Sequence, residues 1–429
     1  MRLLHTSDWH LGQTLHNFER VREHQCFLDW LLGTLVAEQA DTLLIAGDVF
    51  DNANPSSVSQ KQLYRFLQQA RLRVPHLNLV IIAGNHDSPG RLEAPGPLLE
   101  ASGTHLIGHV QRDADGQIDL ERMVLPLTGK SGAVEAWCLA IPFLRPGDVP
   151  RAVKTEDENE EAEEADGNTP DPYLAGIALL YRQALALALT KRQPGQAILA
   201  MGHCHMVGGE MSNDSERRIV IGGTEMLPAG IFDAEIAYAA LGHLHLAQQV
   251  GQQRHIRYCG SPLPLSFAEV NYQHQILRVD LDGANVNEIV PLAVPRAVEL
   301  LRVPAKPAPL AEVLEQLGAL DLPPAELDAQ PFLEVRVRLD APEPGLRARI
   351  EAALEAKPVR LAKIETSSAA RGKGADAALT LDQLSQMQPD DIFKRLYQQR
   401  FSCDAPPEQL SAFAELMLPG AETTQKKTA

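Results

Sequence analysis

The stretch Thr42-Leu43-Leu44-Ile45-Ala46-Gly47-Asp48-Val49-Phe50-Asp51 decides the fold of this chain. Its first five residues form an apolar run, which is typical of a strand buried on both faces of a parallel sheet. The run ends at Gly47-Asp48, so Asp48 is predicted to lie at the carboxyl edge of the sheet, where α/β folds bind their ligands. A single aspartate after a strand is more often a turn or capping residue, so the interpretation depends on whether the pattern recurs.

The pattern recurs at four other places, each an apolar run followed by side chains that bind metals. These are residues 2–7 with Asp8-Trp9-His10, residues 77–83 with Gly84-Asn85-His86-Asp87, residues 197–201 with Gly202-His203-Cys204-His205, and residues 237–241 with Gly242-His243-Leu244-His245. Alone, Gly-Asn-His-Asp is as typical of a turn, and one histidine is more often a core residue. The repetition favours one shared site. We interpret His205 as a surface residue or as support for a ligand.

Helical segments separate these runs. Apolar residues recur at helical spacing in residues 20–39 and again in residues 58–70. Residues 173–189 alternate Ala and Leu near their end, but both are strong helix formers and Pro172 suits a first helical position, so we predict a helix. A strand, a helix and a second strand form a β-α-β unit. The sequence therefore predicts an α/β fold with a parallel sheet.

The charge of the chain is strongly acidic and unevenly distributed. Its formal net charge of -17 argues at first sight against a nucleic-acid partner, because binding of polyphosphate usually needs a basic face. Eight acidic residues, however, lie between Glu156 and Asp166. They predict a solvated insertion over about residues 154–168. The net charge therefore decides nothing about the active face.

Cysteine usage and hydropathy indicate the compartment. The five cysteines are scattered and contain no C-x-x-C pair, which predicts reduced thiols. The first residues lack the apolar core of a signal peptide, and residues 177–189 include polar side chains and are too short to span a bilayer. We expect a cytoplasmic enzyme with no membrane association.

We call the polar residues that follow the five apolar runs the polar tips. Together they supply carboxylate, amide and imidazole groups without thiolate. The candidate metal ligands are Asp8, His10, Asp48, Asn85, His203, His243 and His245. One tetrahedral ion uses fewer donors, so we predict two ions that share Asp48, with manganese favoured and zinc or iron as alternatives. Such a pair activates water for attack on phosphorus, which predicts phosphoester hydrolysis. We expect His86 to protonate the leaving oxygen or stabilise the transition state, and Asp87 to hold the loop or orient a neighbour.

The ordered set of tips resembles the calcineurin-like metallophosphoesterase superfamily. Three segments narrow the resemblance to the SbcD family, the nuclease subunits of bacterial SbcC-SbcD complexes: Leu4-His5-Thr6-Ser7-Asp8-Trp9-His10-Leu11-Gly12, Gly47-Asp48-Val49-Phe50-Asp51 and Gly260-Ser261-Pro262-Leu263-Pro264-Leu265-Ser266-Phe267. The resemblance implies a metallophosphoesterase β-sandwich flanked by helices, with His86 as the catalytic histidine. It assigns Asp8, His10, Asp48 and His245 to one ion, and Asp48, Asn85, His203 and His243 to the other.

The resemblance also implies substrates and partners. It predicts a manganese-dependent nuclease of DNA repair that degrades double strands as an exonuclease and cuts single strands and hairpins as an endonuclease. The implied partner is a coiled-coil ATPase of the SbcC type, with two copies of this chain in a heterotetramer. The implied domains are residues 1–290 as the nuclease, residues 291–370 as a small α+β DNA-capping domain, and residues 371–429 as a linker with C-terminal partner-binding helices.

The last third of the chain carries its own sequence signals. Five prolines between residues 291 and 309 predict a domain boundary, and the alternation in residues 332–339 predicts a strand of the small α+β domain. Near the C-terminus, Ile392, Phe393, Leu396 and Tyr397 share one helical flank. An apolar face that follows a linker suggests binding into a groove of a partner, and packing against this chain's own domain is the alternative.

Two other functions fit part of the pattern. A phosphodiesterase for small or cyclic nucleotides would use the same ions, but the extra domain and the C-terminal helices argue against it. A scaffold that keeps the fold without turnover predicts missing ligands, and the sequence supplies every one of them.

Overall fold

The structure is a computed structural model that describes residues 1–99, 103–150, 171–210, 226–339 and 343–367, with the isolated positions 393, 394, 397, 406, 409 and 410. The chain divides into two compact units, one of residues 1–338 with 343–366, and the other of residues 339–342 with 367–429. The predicted acidic insertion, Ile392, Leu396 and Cys403 lie outside the described residues.

The elements follow one another along the chain in the order that the apolar runs predict. The described strands are β1 (Arg2–Thr6), β2 (Thr14–Leu15), β3 (Phe18–Glu19), β4 (Thr42–Ala46), β5 (Asn78–Ile82), β6 (Thr104–Ile107), β7 (Val124–Thr128), β8 (Val134–Ala140), β9 (Ala197–His203), β10 (Tyr238–Gly242), β11 (Gln248–Val250), β12 (Gln253–Tyr258), β13 (Gln275–Asp282), β14 (Asn285–Ala293), β15 (Leu300–Pro309), β16 (Phe332–Arg338) and β17 (Arg360–Ser367). The described α-helices are α1 (Val21–Ala37), α2 (Ser57–Arg73), α3 (Pro89–Glu93), α4 (Gly96–Leu99), α5 (Pro172–Lys191), α6 (Leu310–Gly318) and α7 (Leu346–Leu354). The three helices predicted between residues 20 and 189 are confirmed as α1, α2 and α5.

Two six-stranded sheets pack face to face. The strand order is β14-β13-β1-β4-β5-β6 in the first sheet and β11-β12-β10-β9-β8-β7 in the second. The strands that precede the polar tips are parallel neighbours, β1 with β4 and β4 with β5 in the first sheet, β9 with β10 in the second. The carboxyl ends of five strands therefore meet at one edge of the sandwich.

Strand β4 explains why the sequence around Asp48 is continuously apolar. Leu44 and Ala46 belong to the core between the two sheets, whereas Leu43 and Ile45 belong to the core under α1 and α2. Both faces of the strand are covered, so each residue from Thr42 to Ala46 is buried. Complete burial fixes the strand and thereby the position of the loop that carries Asp48.

Helix α5 covers the second sheet. By length and composition this helix of 20 residues could cross a membrane, which differs from the expectation from sequence. Its buried residues include Leu180, Ala184 and Ala188, which pack in the core against the second sheet. Seven of its residues are buried, so the packing of α5 accounts for part of its apolar character.

A third sheet, in the order β15-β16-β17, forms with α6 and α7 the α+β region near the end of the first unit. Strand β15 is a correction to the sequence analysis, which interprets Pro304, Pro307 and Pro309 only as boundary signals. A proline lacks the N–H that a central strand must donate, and β15 lies at the edge of its sheet, where the loss is tolerated. Pro291 likewise lies within β14, an edge strand of the first sheet.

Four cysteines, Cys26, Cys138, Cys204 and Cys259, are described, and all four are free thiols, as predicted. Of the predicted C-terminal flank, Phe393 and Tyr397 are described in helical conformation, with ring centroids 6.1 Å apart. Their binding of a partner stays a prediction.

Candidate metal centre

The predicted ligands come from the tips of five strands in two sheets. Asp8 and His10 follow β1, Asp48 follows β4, and Asn85 follows β5. His203 is the last residue of β9, while His243 and His245 follow β10. The structure brings all seven together, and six of them are buried, Asn85 being half-buried.

The loops reach these positions through unusual backbone conformations. Four predicted ligands have positive φ, Asp8 (54°), His10 (47°), Asp48 (48°) and His243 (104°), and among the other described non-glycine residues only His16, Asn17 and Gln39 share this conformation. A residue with a Cβ rarely adopts positive φ, and this backbone strain costs of the order of 1–3 kcal/mol per residue. The surrounding hydrogen bonds hold the strained loops in place, for example from the Asp8 amide to the Gly47 carbonyl and from the His10 amide to the Asp48 carbonyl, each at 3.0 Å.

One cluster consists of Asp8, His10 and His245, whose ligand atoms all lie within 4.8 Å of one another. The Asp8 carboxylate is oriented by the backbone N–H of His243 at 3.0 Å and by the Ser7 hydroxyl at 2.5 Å. The His10 and His245 rings meet edge to face with centroids 5.3 Å apart. This is the ligand set predicted for one ion, with Asp48 as its fourth member.

A second cluster surrounds His203. Asp8, Asp48 and His203 also have ligand atoms within 4.8 Å of one another. Nε2 of His203 lies 3.3 Å from Oδ2 of Asp48 and 3.0 Å from Oδ1 of Asn85. Oδ1 of Asn85 lies 3.2 Å from Nδ1 of His243. The four residues predicted for the second ion thus face one another.

The protonation of His203 tests whether a cation fits. Its Nδ1 donates to the Ala46 carbonyl at 2.9 Å, since a carbonyl oxygen only accepts. The lone pair of Nε2 therefore points at the oxygens of Asp48 and Asn85, which are acceptors as well. Three acceptors that converge on one point need a positive charge between them, which either a proton or a metal ion supplies. The donor types, imidazole, carboxylate and amide, are those of divalent cations of the manganese kind.

The electrostatics of the site agree with this requirement. Burial alone lowers the pKa of His203, but the charge of Asp48 outweighs it and raises the pKa to about 9. Burial alone raises the pKa of Asp48, but His203 and its hydrogen bond hold the pKa below the ordinary value. Asp8 has a raised pKa, first because it is buried, although the neighbouring histidines oppose the shift. The cluster is thus a buried anionic pocket that favours a cation.

Nε2 of His10 and Nε2 of His243 add to this evidence. Both atoms are buried, and within the described part of the chain neither has a hydrogen-bond partner. Buried polar atoms are normally hydrogen-bonded, so each of these atoms is a candidate for metal coordination. The residues present therefore fit two divalent cations.

The predicted catalytic residues lie on the loop after β5. The backbone N–H of His86 donates to Oδ1 of Asp48 at 2.9 Å, and Nδ1 of His86 donates to the Asp51 carbonyl at 2.7 Å. The ring is half-buried, and its centroid lies 4.9 Å from that of His10. His86 therefore lies beside the ligands, with its imidazole oriented by the backbone.

The carboxylate of Asp87 ties two loops together. Its carboxylate accepts hydrogen bonds from the backbone N–H groups of Val49 (3.1 Å), Phe50 (2.9 Å) and Gly84 (2.9 Å). Burial, and then the charge of Asp48, raise its pKa to about 6. This geometry corresponds to the predicted loop-holding role.

Sequence reasoning missed two carboxylates that contact the predicted ligands. Oδ1 of Asp51 lies 3.4 Å from Nδ1 of His10, and Oε1 of Glu269 lies 3.0 Å from Nδ1 of His245. Asp51 belongs to the Gly47–Asp51 motif, so its signal was present. Glu269 follows the motif that ends at Phe267 by two residues. His205, interpreted as a surface or supporting residue, is buried, and its ring centroid is 6.2 Å from that of His243.

Comparison with known proteins places this centre in a family. A family model described as calcineurin-like phosphoesterase matches residues 1–247, and a model described as the type 5 capsule protein repressor C-terminal domain matches residues 296–401. The SbcD subunit of nuclease SbcCD from Rhodobacter capsulatus is 40% identical over 394 residues, which cover 92% of this chain and 93% of that protein. The chain belongs to the SbcD family of calcineurin-like phosphoesterases.

Two further relatives with the same name support this membership. The Escherichia coli K12 protein is 32% identical over 400 residues, covering 92% of each chain. The Bacillus subtilis protein is 37% identical over 282 residues, covering 65% of this chain and 66% of that protein. The predicted family and the predicted metallophosphoesterase fold are confirmed. The roles of individual site residues and the domain boundaries at residues 290 and 370 stay predictions.

Proposed function

We propose that this chain is the nuclease subunit of an SbcC-SbcD-type complex, which hydrolyses phosphodiester bonds of DNA with two divalent cations bound at Asp48. One observation carries the proposal. Asp48 belongs to two groups whose ligand atoms lie within 4.8 Å of one another, one with His10 and His86 and one with Asp8 and His203, in a chain that matches the SbcD subunit of the Rhodobacter capsulatus nuclease SbcCD over 92% of its length. Manganese is the proposed metal, because the donors are imidazole, carboxylate and amide groups.

The protein contributes a rigid set of metal-binding side chains to the reaction. When bound, two divalent cations would neutralise charge on the phosphodiester and promote the attack of water on phosphorus. Asp8, His10, Asp48 and His245 would hold one of them, and Asp48, Asn85, His203 and His243 the other. Because the strand tips are fixed by the two sheets, the ligands need little reorganisation during turnover.

His86 is the proposed acid. Because its Nδ1 donates to the Asp51 carbonyl, Nε2 is the nitrogen that can pass a proton to the leaving oxygen. Its backbone N–H bonds to Asp48, so the same loop that positions the acid also orients the shared carboxylate. Asp87 holds this loop to the one after β4.

We also propose more specific properties, which the resemblance to the SbcD family implies. They are exonuclease action on duplex DNA, endonuclease action on single strands and hairpins, an SbcC-type ATPase as partner, two copies of the chain in the complex, and a cytoplasmic location. The α+β region with β15, β16 and β17 would cap the DNA, and the helical flank with Phe393 and Tyr397 would contact the ATPase.

The test is manganese-dependent digestion of end-labelled linear duplex DNA by the full chain, with Asp48→Ala, His86→Gln and the exposed-site control Asp29→Ala. Manganese binding is measured separately by calorimetry. We expect Asp48→Ala to lose manganese and cleavage, His86→Gln to keep manganese with little cleavage, and Asp29→Ala to match the wild type. Equal cleavage by all four proteins overturns the proposal. Turnover of a small phosphodiester such as bis(p-nitrophenyl) phosphate without cleavage of DNA would favour a phosphodiesterase instead.

A further inference from the structure

The segment 260–269 packs against the strand tip that carries His245. The backbone N–H of Ser261 donates to the His245 carbonyl at 3.1 Å. Gly260 has φ +79°, and a Cβ added to it would lie 2.6 Å from the His245 carbonyl oxygen and 2.8 Å from the Ala247 nitrogen. Only glycine combines this φ with so close an approach. The motif that begins at Gly260 is therefore built onto the backbone of a metal ligand.

The end of the same segment contacts the side chain of His245. Oε1 of Glu269 lies 3.0 Å from Nδ1 of His245, and both residues are buried. Because an ionised carboxylate only accepts, Nδ1 carries the hydrogen, and in the neutral imidazole Nε2 then keeps the lone pair. His245 lies in one cluster with Asp8 and His10, toward which that lone pair can be directed.

Glu269 is itself fixed by a chain of hydrogen bonds. Its Oε2 accepts from the Leu265 amide at 2.7 Å, and the Leu265 carbonyl accepts from Nε2 of Gln13 at 2.9 Å. Oε1 of Gln13 accepts from Arg20 at 2.8 Å. Arg20 is buried, donates to the Pro264 carbonyl at 2.7 Å, and pairs with Glu23 through its Nε at 2.9 Å. This series of hydrogen bonds links His245 to the start of α1.

A carboxylate is the group that this position requires. One oxygen of Glu269 faces the N–H of His245 and the other faces the N–H of Leu265. Glutamine offers one acceptor oxygen and one NH₂ group, so it would satisfy one donor and oppose the other. An aliphatic side chain would leave both buried donors without acceptors.

We infer that Glu269 is a positioning residue for His245, holding its imidazole as the Nδ1–H tautomer so that Nε2 faces the ion shared with Asp8 and His10. This inference rests on the proposed function, since it assumes that His245 binds metal. Residues 260–268 form the support that carries Glu269 to this position. Hydrogen-bond partners of this kind orient metal-binding histidines and raise their basicity, and their loss typically weakens metal affinity by about 10- to 100-fold.

The first test needs no substitution. Nitrogen NMR of the full chain labelled in histidine, without metal, reports the tautomer of each imidazole, and a His245→Gln spectrum assigns the His245 signals. We expect the Nδ1–H tautomer at His245. The Nε2–H tautomer overturns the proposal, whether or not any variant folds.

The second test compares Glu269→Gln with Glu334→Gln by manganese calorimetry. Glu334 is an equally buried carboxylate, but it pairs with Arg302 at 2.7 Å and Lys363 at 3.2 Å in the α+β region. We expect Glu269→Gln to bind one manganese about 10- to 100-fold more weakly and to lose the Nδ1–H signal of His245, and Glu334→Gln to bind both ions as the wild type does. Wild-type affinity in Glu269→Gln, or an equal loss in both variants, contradicts the proposal.

The readouts separate this proposal from the proposed function. If the wild type binds two manganese ions and Glu269→Gln weakens one of them, the positioning role stands even when DNA is not cleaved. If the wild type cleaves DNA and the Glu269→Gln variant keeps its metal affinity, the nuclease stands and the positioning role fails.

Discussion

Oδ1 of Asp48 accepts a hydrogen bond from the backbone nitrogen of His86 at 2.9 Å. Its other carboxylate oxygen, Oδ2, lies 3.3 Å from Nε2 of His203 and 3.6 Å from Nε2 of His10. One buried side chain therefore contacts histidines of both clusters and the loop of the proposed acid. A change at this carboxylate or next to it should affect metal binding and catalysis together.

Gly84→Ala tests this dependence without removing any ligand. A Cβ at Gly84 would overlap both Oδ1 and the backbone nitrogen of Asp48, and neither atom can move freely because both belong to the fixed loop after β4. We expect at least a tenfold loss of manganese affinity, measured by calorimetry, and a matching loss of cleavage.

Gly33→Ala is the matched control for that substitution. Gly33 lies inside α1, and no atom lies within 4 Å of a Cβ added there. Alanine in a helix interior is more favourable than glycine by roughly 0.5–1 kcal/mol, so this variant should be slightly more stable and fully active. Wild-type metal affinity in Gly84→Ala would show that the loop adapts, and it would contradict the claim that the ligands are held rigidly.

Asp87→Asn should loosen the two loops that carry Asp48 and Asn85. Oδ2 of Asp87 accepts from Val49 and Gly84, and Oδ1 accepts from Phe50. An amide must place its NH₂ group against at least one of these N–H donors, and each unsatisfied buried donor costs about 1–3 kcal/mol. We expect a lower urea midpoint for the metal-free chain together with weaker manganese binding. A variant that keeps wild-type stability contradicts the loop-holding role.

The sequence indicates the candidate ligands because each one lies at the end of an apolar run or within a few residues after it. Burial of β4 on both faces makes the run long and uninterrupted, and the parallel order of the strands brings their ends to one edge. The ends of apolar runs also indicated His203 and His243, which lie on the second sheet. The pairing of Gly242 with His203, which sets the register of these two strands, could not be predicted from either run alone.

Features without a local signal could not be predicted. Glu269 ends a short 3₁₀ helix, Phe267–Glu269, and its carboxylate contacts Nδ1 of a histidine 24 positions away, a contact that only the folded chain creates. The positive φ at Asp8 and Asp48 is invisible in sequence because neither is glycine. Strand β15 was missed because prolines normally exclude a central strand, and nothing local indicates that this strand is at an edge.

Asp51→Ala should separate metal binding from the orientation of the acid. Oδ1 of Asp51 lies 3.4 Å from Nδ1 of His10, whereas His86 bonds to the backbone carbonyl of Asp51, which alanine retains. We expect manganese affinity to fall severalfold, by calorimetry, while kcat at saturating manganese stays within about twofold of the wild type. A large loss of kcat with unchanged metal affinity would give the carboxylate itself a role in proton transfer.

His5 predicts how the stability of the metal-free chain depends on pH. Its Nδ1 contacts the Tyr238 hydroxyl at 2.9 Å in the core, and burial lowers the pKa of His5 from 6.5 to about 3. Because the folded-state pKa lies below the unfolded value, the unfolded chain takes up a proton first when the pH falls. The contribution is absent above pH 6.5, and below it the free energy of unfolding decreases by up to roughly 1.4 kcal/mol per pH unit until about pH 3.

The double variant His5→Leu/Tyr238→Phe removes this titration and leaves no unpaired hydroxyl in the core. From about pH 7.5 to 5.5 the wild type should lose about 1 kcal/mol more stability than the double variant, measured by urea unfolding in EDTA. Tyr238→Phe alone keeps the imidazole and should retain the wild-type pH dependence. Parallel curves for wild type and double variant would mean that His5 titrates equally in the folded and unfolded chains, contrary to its burial between β4 and β13 in the first sheet.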